Sequence, residues 1–265
     1  MDLDDKRINE LDRKADSSRN KSKRKREERS AIAGIFDKQT LETVNRLYVK
    51  GVIDQFVGLI SSGKESNVYF VYGENNQPLI IKIYKIDPQN TKWMKNYIIG
   101  DPRFHKIGTT TTKIIHTWCK KEFKNLTQLY RSHIPVPKPV ISLDNILVME
   151  FIGDENGTPA PRLKDVAELE NPKELMNKIL ENISKMYLNA HLVHGDLSEF
   201  NILMYQDQPI IIDVSQAVSV FHVNAAIYLE RDIKNILSFF KNYIDEKDLP
   251  DCLTLTHEII GKGNF

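Results

Sequence analysis

The sequence predicts an α+β protein of two lobes, a small β-rich lobe carrying one long helix and a larger helical lobe. Three observations predict it. Runs rich in β-branched and aromatic residues, "FVGLI", "NVYFVYG", "LIIKIYK" and "ILVMEFIG", fill much of the first half. One stretch of about twenty residues among them instead carries a helical stripe of Ile115, Trp118, Cys119, Leu126 and Leu129. From "GDENGTPAP" onward, apolar residues recur mainly at helical spacing. With 265 residues, 41% of them hydrophobic, the chain can build two lobes around a cleft. Such a cleft is a natural ligand site.

Taken in order, residues 1–29 form a basic arm. Its core, Arg19 to Arg29, has seven basic and two acidic residues among eleven. Such a run stays solvated and disordered alone and neutralises backbone phosphates when it meets RNA. The β-rich lobe is assigned to residues 30–148 and the helical lobe to 149–265. Asp37 can cap a helix with the apolar face Leu41, Val44, Leu47 and Tyr48, and Gly51 lies just past its end. Three antiparallel strands follow, split by "SSGKES" and "ENNQP". Residues 86–112 read as a long, polar, mobile loop. After the long helix, "PVPKPVISL" reads as a strand that its prolines confine to an edge or to a late start. Asn171-Pro172-Lys173-Glu174 starts a helix with Asn as cap and Leu175, Ile179, Ile183, Met186 and Ala190 on its buried side. "NILMY" and "IIID" make a hairpin across "QDQP", and two helices close the sequence.

Bulk properties set limits. The net charge of +1 makes the chain no polyelectrolyte. Cys119 and Cys252 lie far apart without metal-ligand spacing, which argues against a disulfide or zinc framework. No apolar run approaches the roughly 18 residues of a membrane span, and no signal peptide is visible. The expectation is a cytoplasmic protein with no membrane partner.

The groups that carry chemistry are few. Asp196 and Asn201 lie in "LVHGDLSEFNIL", and Asp213 ends "PIIID". The hairpin brings Asn201 and Asp213 close, and their oxygens suit Mg²⁺, which takes few protein ligands and leaves room for phosphate. Asp196 is then free to accept a proton. Lys82 sits inside an apolar strand and Glu122 inside an apolar stripe. Each needs a partner, and pairing them satisfies both while aiming the ammonium at an anion in the cleft. Between the first strands, the small residues of "SSGKESNVY" let backbone amides approach an anion.

This set resembles the protein kinase fold. "HGDLSEFN" resembles the loop H-R-D-x-x-x-x-N, "IKIYK" the third-strand lysine, and "IIIDVSQ" stands in the place of D-F-G. More closely, "SSGKESNVY", "HGDLSEFN", "IDVSQAV" and "YLERDIKNI" resemble the RIO family of atypical serine/threonine kinases, in its type-1 branch. The resemblance implies a kinase-like fold whose helical lobe lacks the usual activation segment. It implies ATP with Mg²⁺ or Mn²⁺, Asp196 as catalytic aspartate, and Asn201 and Asp213 as metal ligands. Lys82, held by Glu122, would meet the phosphates. Ser61, Ser62, Gly63, Lys64, Glu65, Ser66 and Val68 would form the phosphate loop. Met149, Glu150 and Ile152 would lie at the hinge, with backbone groups of the last two on adenine. Asp213 would also accept the phosphoryl group, giving an aspartyl-phosphate and ATP hydrolysis. The client would be a precursor of the small ribosomal subunit, its RNA met by the basic arm, with a protein substrate besides.

Departures from ordinary kinases shape that expectation. Only Gly63 remains of the three loop glycines, Gly195 replaces an arginine, and no A-P-E follows Asp213. The platform for a peptide substrate is missing. An ATP-driven binding switch on pre-ribosomal particles is the main alternative. A small-molecule kinase of the aminoglycoside or choline type shares the H-G-D-L loop. It needs a substrate subdomain larger than the fifty or so residues after Asp213.

Overall fold

The computed structural model describes residues 34, 36–104 and 108–263, and the basic arm lies outside them. The described residues divide into two compact units, one of those up to 57 with 71–77 and one of 58–70 with those from 78 onward.

In the first unit, helix α1 (Lys38–Val49) begins where Asp37 accepts the Thr40 N–H at 3.0 Å. It buries Thr40, Thr43, Val44, Leu47 and Tyr48, while Leu41 is only half-buried. Two bonds close its end, Gly51 N to Tyr48 O at 3.1 Å and Val52 N to Leu47 O at 3.0 Å. This double closure needs its first donor to be left-handed, and Gly51 supplies that conformation at φ 71°. Asp37→Ala removes the cap and is expected to lower stability by about 1 kcal/mol. A urea midpoint equal to wild type contradicts the cap.

A five-stranded sheet has the order β1-β2-β3-β5-β4, built from β1 (Gln55–Ser62), β2 (Ser66–Tyr72), β3 (Pro78–Tyr84), β4 (Pro139–Leu143) and β5 (Ile146–Glu150). The proline-rich strand lies at an edge and also starts late, at Pro139, as the missing N–H groups require.

In the second unit, the 86–112 connection corrects the expectation of a loop. Pro88–Ile98 is a helix, α2, with Asp87 as cap accepting the Gln89 N–H at 2.9 Å and proline in its first turn. Met94 and Ile98 are buried, and Trp93 meets Trp118 edge-on at 5.2 Å. Few apolar residues mark this helix in the sequence, but Asp87-Pro88 is a start signal. The long helix α3 (Thr111–Arg131) buries its whole predicted stripe. An apolar core runs from Tyr84 through α3 and β5 into the helical half.

That half holds α4 (Pro172–Leu188), β6 (Leu192–Val193), the hairpin β7 (Ile202–Tyr205) and β8 (Gln208–Ile211), β9 (Val218–Ser219), α5 (Ala225–Phe240) and α6 (Cys252–Lys262). The residues predicted for the buried side of α4 are buried. Asn171 differs from expectation, because its side chain makes no capping hydrogen bond. The hairpin turns through Gln206 and Asp207, both left-handed, as a two-residue link between twisted strands demands.

Candidate active site

β3 is the middle of five strands, so both of its edges are paired, and Lys82 near its end is only 6% exposed. A buried ammonium needs carboxylates. Its Nζ lies 2.9 Å from Glu122 Oε1 and 2.8 Å from Asp213 Oδ1. Glu122 comes from the buried stripe of α3, and its other oxygen accepts the Tyr84 hydroxyl. Burial opposes the charge, but the Asp213 and Glu122 carboxylates outweigh it and hold Lys82 above the ordinary lysine range.

Asp213 follows β8 in a left-handed conformation, φ 56° and ψ 55°, that aspartate tolerates better than most residues. Ser215 Oγ donates to its Oδ1 at 3.0 Å. Burial raises its pKa and Lys82 lowers it; Lys82 wins, and the carboxyl sits below its usual range. Among the described residues its hydrogen bonds all fall on Oδ1, while 47% of the side chain remains exposed. Asn201 precedes β7, and Ile212 N donates to Asn201 O at 3.0 Å, so the hairpin sets Asn201 beside Asp213. Asn201 Nδ2 donates to the Asp196 carbonyl at 2.8 Å, which leaves its Oδ1 for another partner. One amide oxygen and one carboxylate oxygen form a sparse, hard donor pair. They fit Mg²⁺, which completes its octahedron with water and phosphate. No cluster of three His, Cys, Asp or Glu suited to a metal occurs among the described residues, so an all-protein cage is not offered.

Asp196 Oδ2 accepts the Gln216 amide at 2.8 Å. Partial desolvation and then the Asp213 charge push the Asp196 carboxyl above its ordinary range. Its loop is gripped by α5. Gly195 N and Leu197 N each donate to Asp232 at 2.8 Å, Asn235 Nδ2 donates to Leu197 O at 3.0 Å, and Arg231 Nη2 donates to Gly195 O. The segment after Asp213 is gripped by α3. Lys121 Nζ donates to Ser215 O at 2.9 Å and to Ala217 O, and Asn125 Nδ2 to Val214 O and Ala217 O at 2.8 and 2.9 Å. Sequence reasoning missed these holding residues and Gln216. The signal was present for Lys121, Asn125 and Asp232, since each is a polar residue on an otherwise apolar helix face.

The phosphate-loop residues need a different description from the one expected. Ser61, Ser62, Ser66 and Val68 belong to strands, and only Gly63, Lys64 and Glu65 link them. The end of β3 pins this link, with Lys85 N donating to Glu65 O at 2.8 Å and Lys85 Nζ to Gly63 O at 2.6 Å. The Glu65 carboxyl feels Asp213, Lys82, Glu122 and Asp196, and burial first, then Asp213, pushes it up to about 7. At the hinge, Met149 is buried. Glu150 N donates to Lys138 O at 2.9 Å and Ile152 O accepts from Ala160 N at 3.0 Å.

His194 lies 3.1 Å through Nε2 from Ile212 O, and burial pushes it down to about 4. Its folded pKa is depressed, so the stability it contributes is complete above the unfolded value near 6.5 and falls as pH drops toward 4. Wild type is expected to lose about 2 kcal/mol between pH 7 and pH 5 through this group. His194→Gln is expected to flatten that part of the profile, and equal slopes contradict the assignment.

The RIO domain family model matches residues 67–251, more than half of the chain. The chain belongs to the RIO kinase family. It is 39% identical over 207 residues to the RIO-type serine/threonine-protein kinase Rio1 of Haloferax volcanii, covering 78% of this chain and 70% of that protein. The Rio1 kinase of Methanocaldococcus jannaschii is 41% identical over the same shares. Human serine/threonine-protein kinase RIO1 is 36% identical over 82% of this chain, which spans 38% of its length. Among solved structures, a Rio2 kinase–ADP/Mg²⁺–phosphoaspartate complex from Chaetomium thermophilum matches with a TM-score of 0.63 at 22% identity, over 82% of this chain and 65% of that one. The fold is therefore the two-lobed, kinase-like α+β fold expected, and the expectation of a kinase-class enzyme agrees with these relatives.

Proposed function

We propose that this RIO chain transfers the γ-phosphoryl group of Mg-ATP to serine or threonine hydroxyls, its own included, and hydrolyses ATP when no hydroxyl is in place. The meeting of Lys82, Glu122 and Asp213, with Asn201 and Asp196 beside them, carries this reading. Lys82 holds phosphate oxygens and Glu122 holds Lys82. Asp196 orients the hydroxyl and takes its proton as the oxygen attacks γ-phosphorus and the bond to ADP breaks. Mg²⁺ held by Asn201 Oδ1 and Asp213 would offset the phosphate charge. The exposed, ionised Asp213 supports a second route, in which its Oδ2 attacks the same phosphorus, ADP leaves, and water later cleaves the acyl-phosphate. Incubation with γ-labelled ATP and Mg²⁺ tests both. Label on serine or threonine supports transfer to hydroxyls. Hydroxylamine-labile label that disappears in Asp213→Asn supports the aspartyl route. Absence of both transfer and Mg²⁺-dependent phosphate release overturns the proposal.

The client we propose is a maturing small ribosomal subunit in the cytoplasm, reached through RNA by the basic arm. The described residues contain no helix long and apolar enough to cross a membrane. Only eleven residues separate Asp213 from α5 at Ala225, too few for a peptide platform, which favours a part for the ATP cycle in switching this association. Deleting residues 1–29 is expected to weaken RNA binding and to reduce the slope of log K against log salt by about 0.7 to 0.9 for each phosphate the arm no longer neutralises. ATP turnover stays as in wild type. An unaltered salt slope contradicts an RNA role for the arm.

A further inference from the structure

We propose that the outer face of α3 is a docking surface for the phosphate backbone of double-stranded RNA. The inference deepens the RNA client proposed above and rests on that reading; it does not depend on the phosphotransfer chemistry.

Lys113, Lys120, Lys124 and Arg131 are all exposed on α3. At about 100° per residue the four lie within about 40° of one another around the helix axis, and at about 1.5 Å per residue the row is about 27 Å long. Glu122 is the only acid of the helix, and it lies on the opposite side, buried against Lys82. Among the described residues none of the four makes an ion pair. Lys124 Nζ lies 4.8 Å over the Phe104 ring, a contact that steadies its stem and leaves its charge uncompensated. The whole chain carries only +1, so the row is no by-product of a basic composition. A helix face built only for solvation looks different. On α4, Lys178 pairs with Glu174 at 3.0 Å and Lys185 with Glu181 at 2.7 Å, each four residues apart. On α3, Lys120 and Lys124 stand four apart instead, a like-charge spacing that works against the helix. The fold gains nothing from this row, whereas a polyanion laid along it neutralises the charges and releases its own counterions.

The chemistry of the face selects among polyanions. A membrane surface needs apolar side chains flanking the cations, and the isoleucines, leucines and tryptophan of α3 are all buried. An acidic protein favours the bidentate fork of arginine, and three of the four cations are lysines, point charges that suit phosphate. Single-stranded RNA is held through bases stacked on exposed aromatic rings. Tyr130 is the one exposed aromatic of α3, and it lies about 100° round from the row. A straight row of cations without a stacking ring fits the phosphates of a duplex, which proteins meet by backbone rather than by base.

The test is fluorescence anisotropy on the full chain with a labelled RNA duplex of about 20 base pairs, titrated over a range of salt. The variant is Lys113→Gln/Lys120→Gln/Lys124→Gln/Arg131→Gln, which keeps good helix formers at exposed positions. It is expected to bind the duplex at least about tenfold more weakly at about 0.1 M salt, and to flatten the slope of log K against log salt by roughly 3 units. ATP turnover should stay as in wild type, and the urea midpoint should be at or above wild type because a repulsion has gone. Lys178→Gln/Lys185→Gln removes two charges from α4 and should leave the slope unaltered. An unaltered slope in the α3 variant overturns the inference, and so does an equal loss per charge in the α4 variant, since any surface lysine would then serve. A lowered urea midpoint with duplex binding retained also overturns it, and makes the row a stabilising feature. Loss confined to phosphatidylserine vesicles, to poly-glutamate or to poly-uridine, with the duplex still held, overturns it in favour of that partner. A wild-type chain that binds no RNA refutes the RNA client itself, whereas a wild type that binds and an α3 variant that binds equally refute only the surface.

Discussion

Asp196→Ala lowers phosphoryl transfer by at least about a hundredfold, the contribution of a positioned acid–base group. Nucleotide binding survives, because Asp196 bonds none of Lys82, Glu122 and Asp213 through its side chain; its carboxylate is held by Gln216. Stability should change little, since the residue is exposed and the grip of α5 falls on the backbone of its neighbours. The pH profile carries the same information. Partial desolvation and the Asp213 charge raise the Asp196 pKa, so the acid limb of the rate profile should lie above the range of an ordinary aspartate. A variant that transfers phosphate at the wild-type rate removes Asp196 from the mechanism.

Lys82→Met abolishes productive ATP use and also unfolds easily. The substitution leaves Glu122, 1% exposed, with the Tyr84 hydroxyl but no cation. A buried carboxylate stripped of its cation costs about 3–5 kcal/mol. Adding Glu122→Gln removes the stranded charge, so Lys82→Met/Glu122→Gln should recover most of the stability and none of the activity. Urea denaturation and single-turnover kinetics separate the two effects. A double variant as unstable as the single one contradicts the pairing, and single-turnover rates equal to wild type contradict the role of Lys82 at the phosphates.

Much of the site is legible in the sequence because its charged residues interrupt apolar patterns. Lys82 breaks a strand and Glu122 breaks a stripe, and each break signals a buried partner. Asn201 and Asp213 could be paired because the short link "QDQP" between β-rich runs fixes which ends meet. Other features depend on tertiary packing that no local pattern marks. The α2 helix has few apolar residues, and it is completed by packing on Trp118 of α3. Arg231 reaches a backbone carbonyl 36 residues away, and a carbonyl leaves no trace in side-chain chemistry. Asn171 satisfies every sequence rule for a cap, yet its side chain makes no capping bond. Glu65 looked like part of an anion loop, but only the fold sets its carboxyl in the field of Asp213 and raises its pKa.

The central claim is that Lys82, Asn201 and Asp213 enclose one divalent cation and one triphosphate. A crystal structure with Mg²⁺ and a non-hydrolysable ATP analogue tests it most directly. The account predicts the metal on Asn201 Oδ1 and an Asp213 oxygen, Lys82 Nζ on phosphate oxygens, and Asp196 facing the γ-phosphate. A nucleotide bound elsewhere, or a metal held without Asn201 and Asp213, would contradict it.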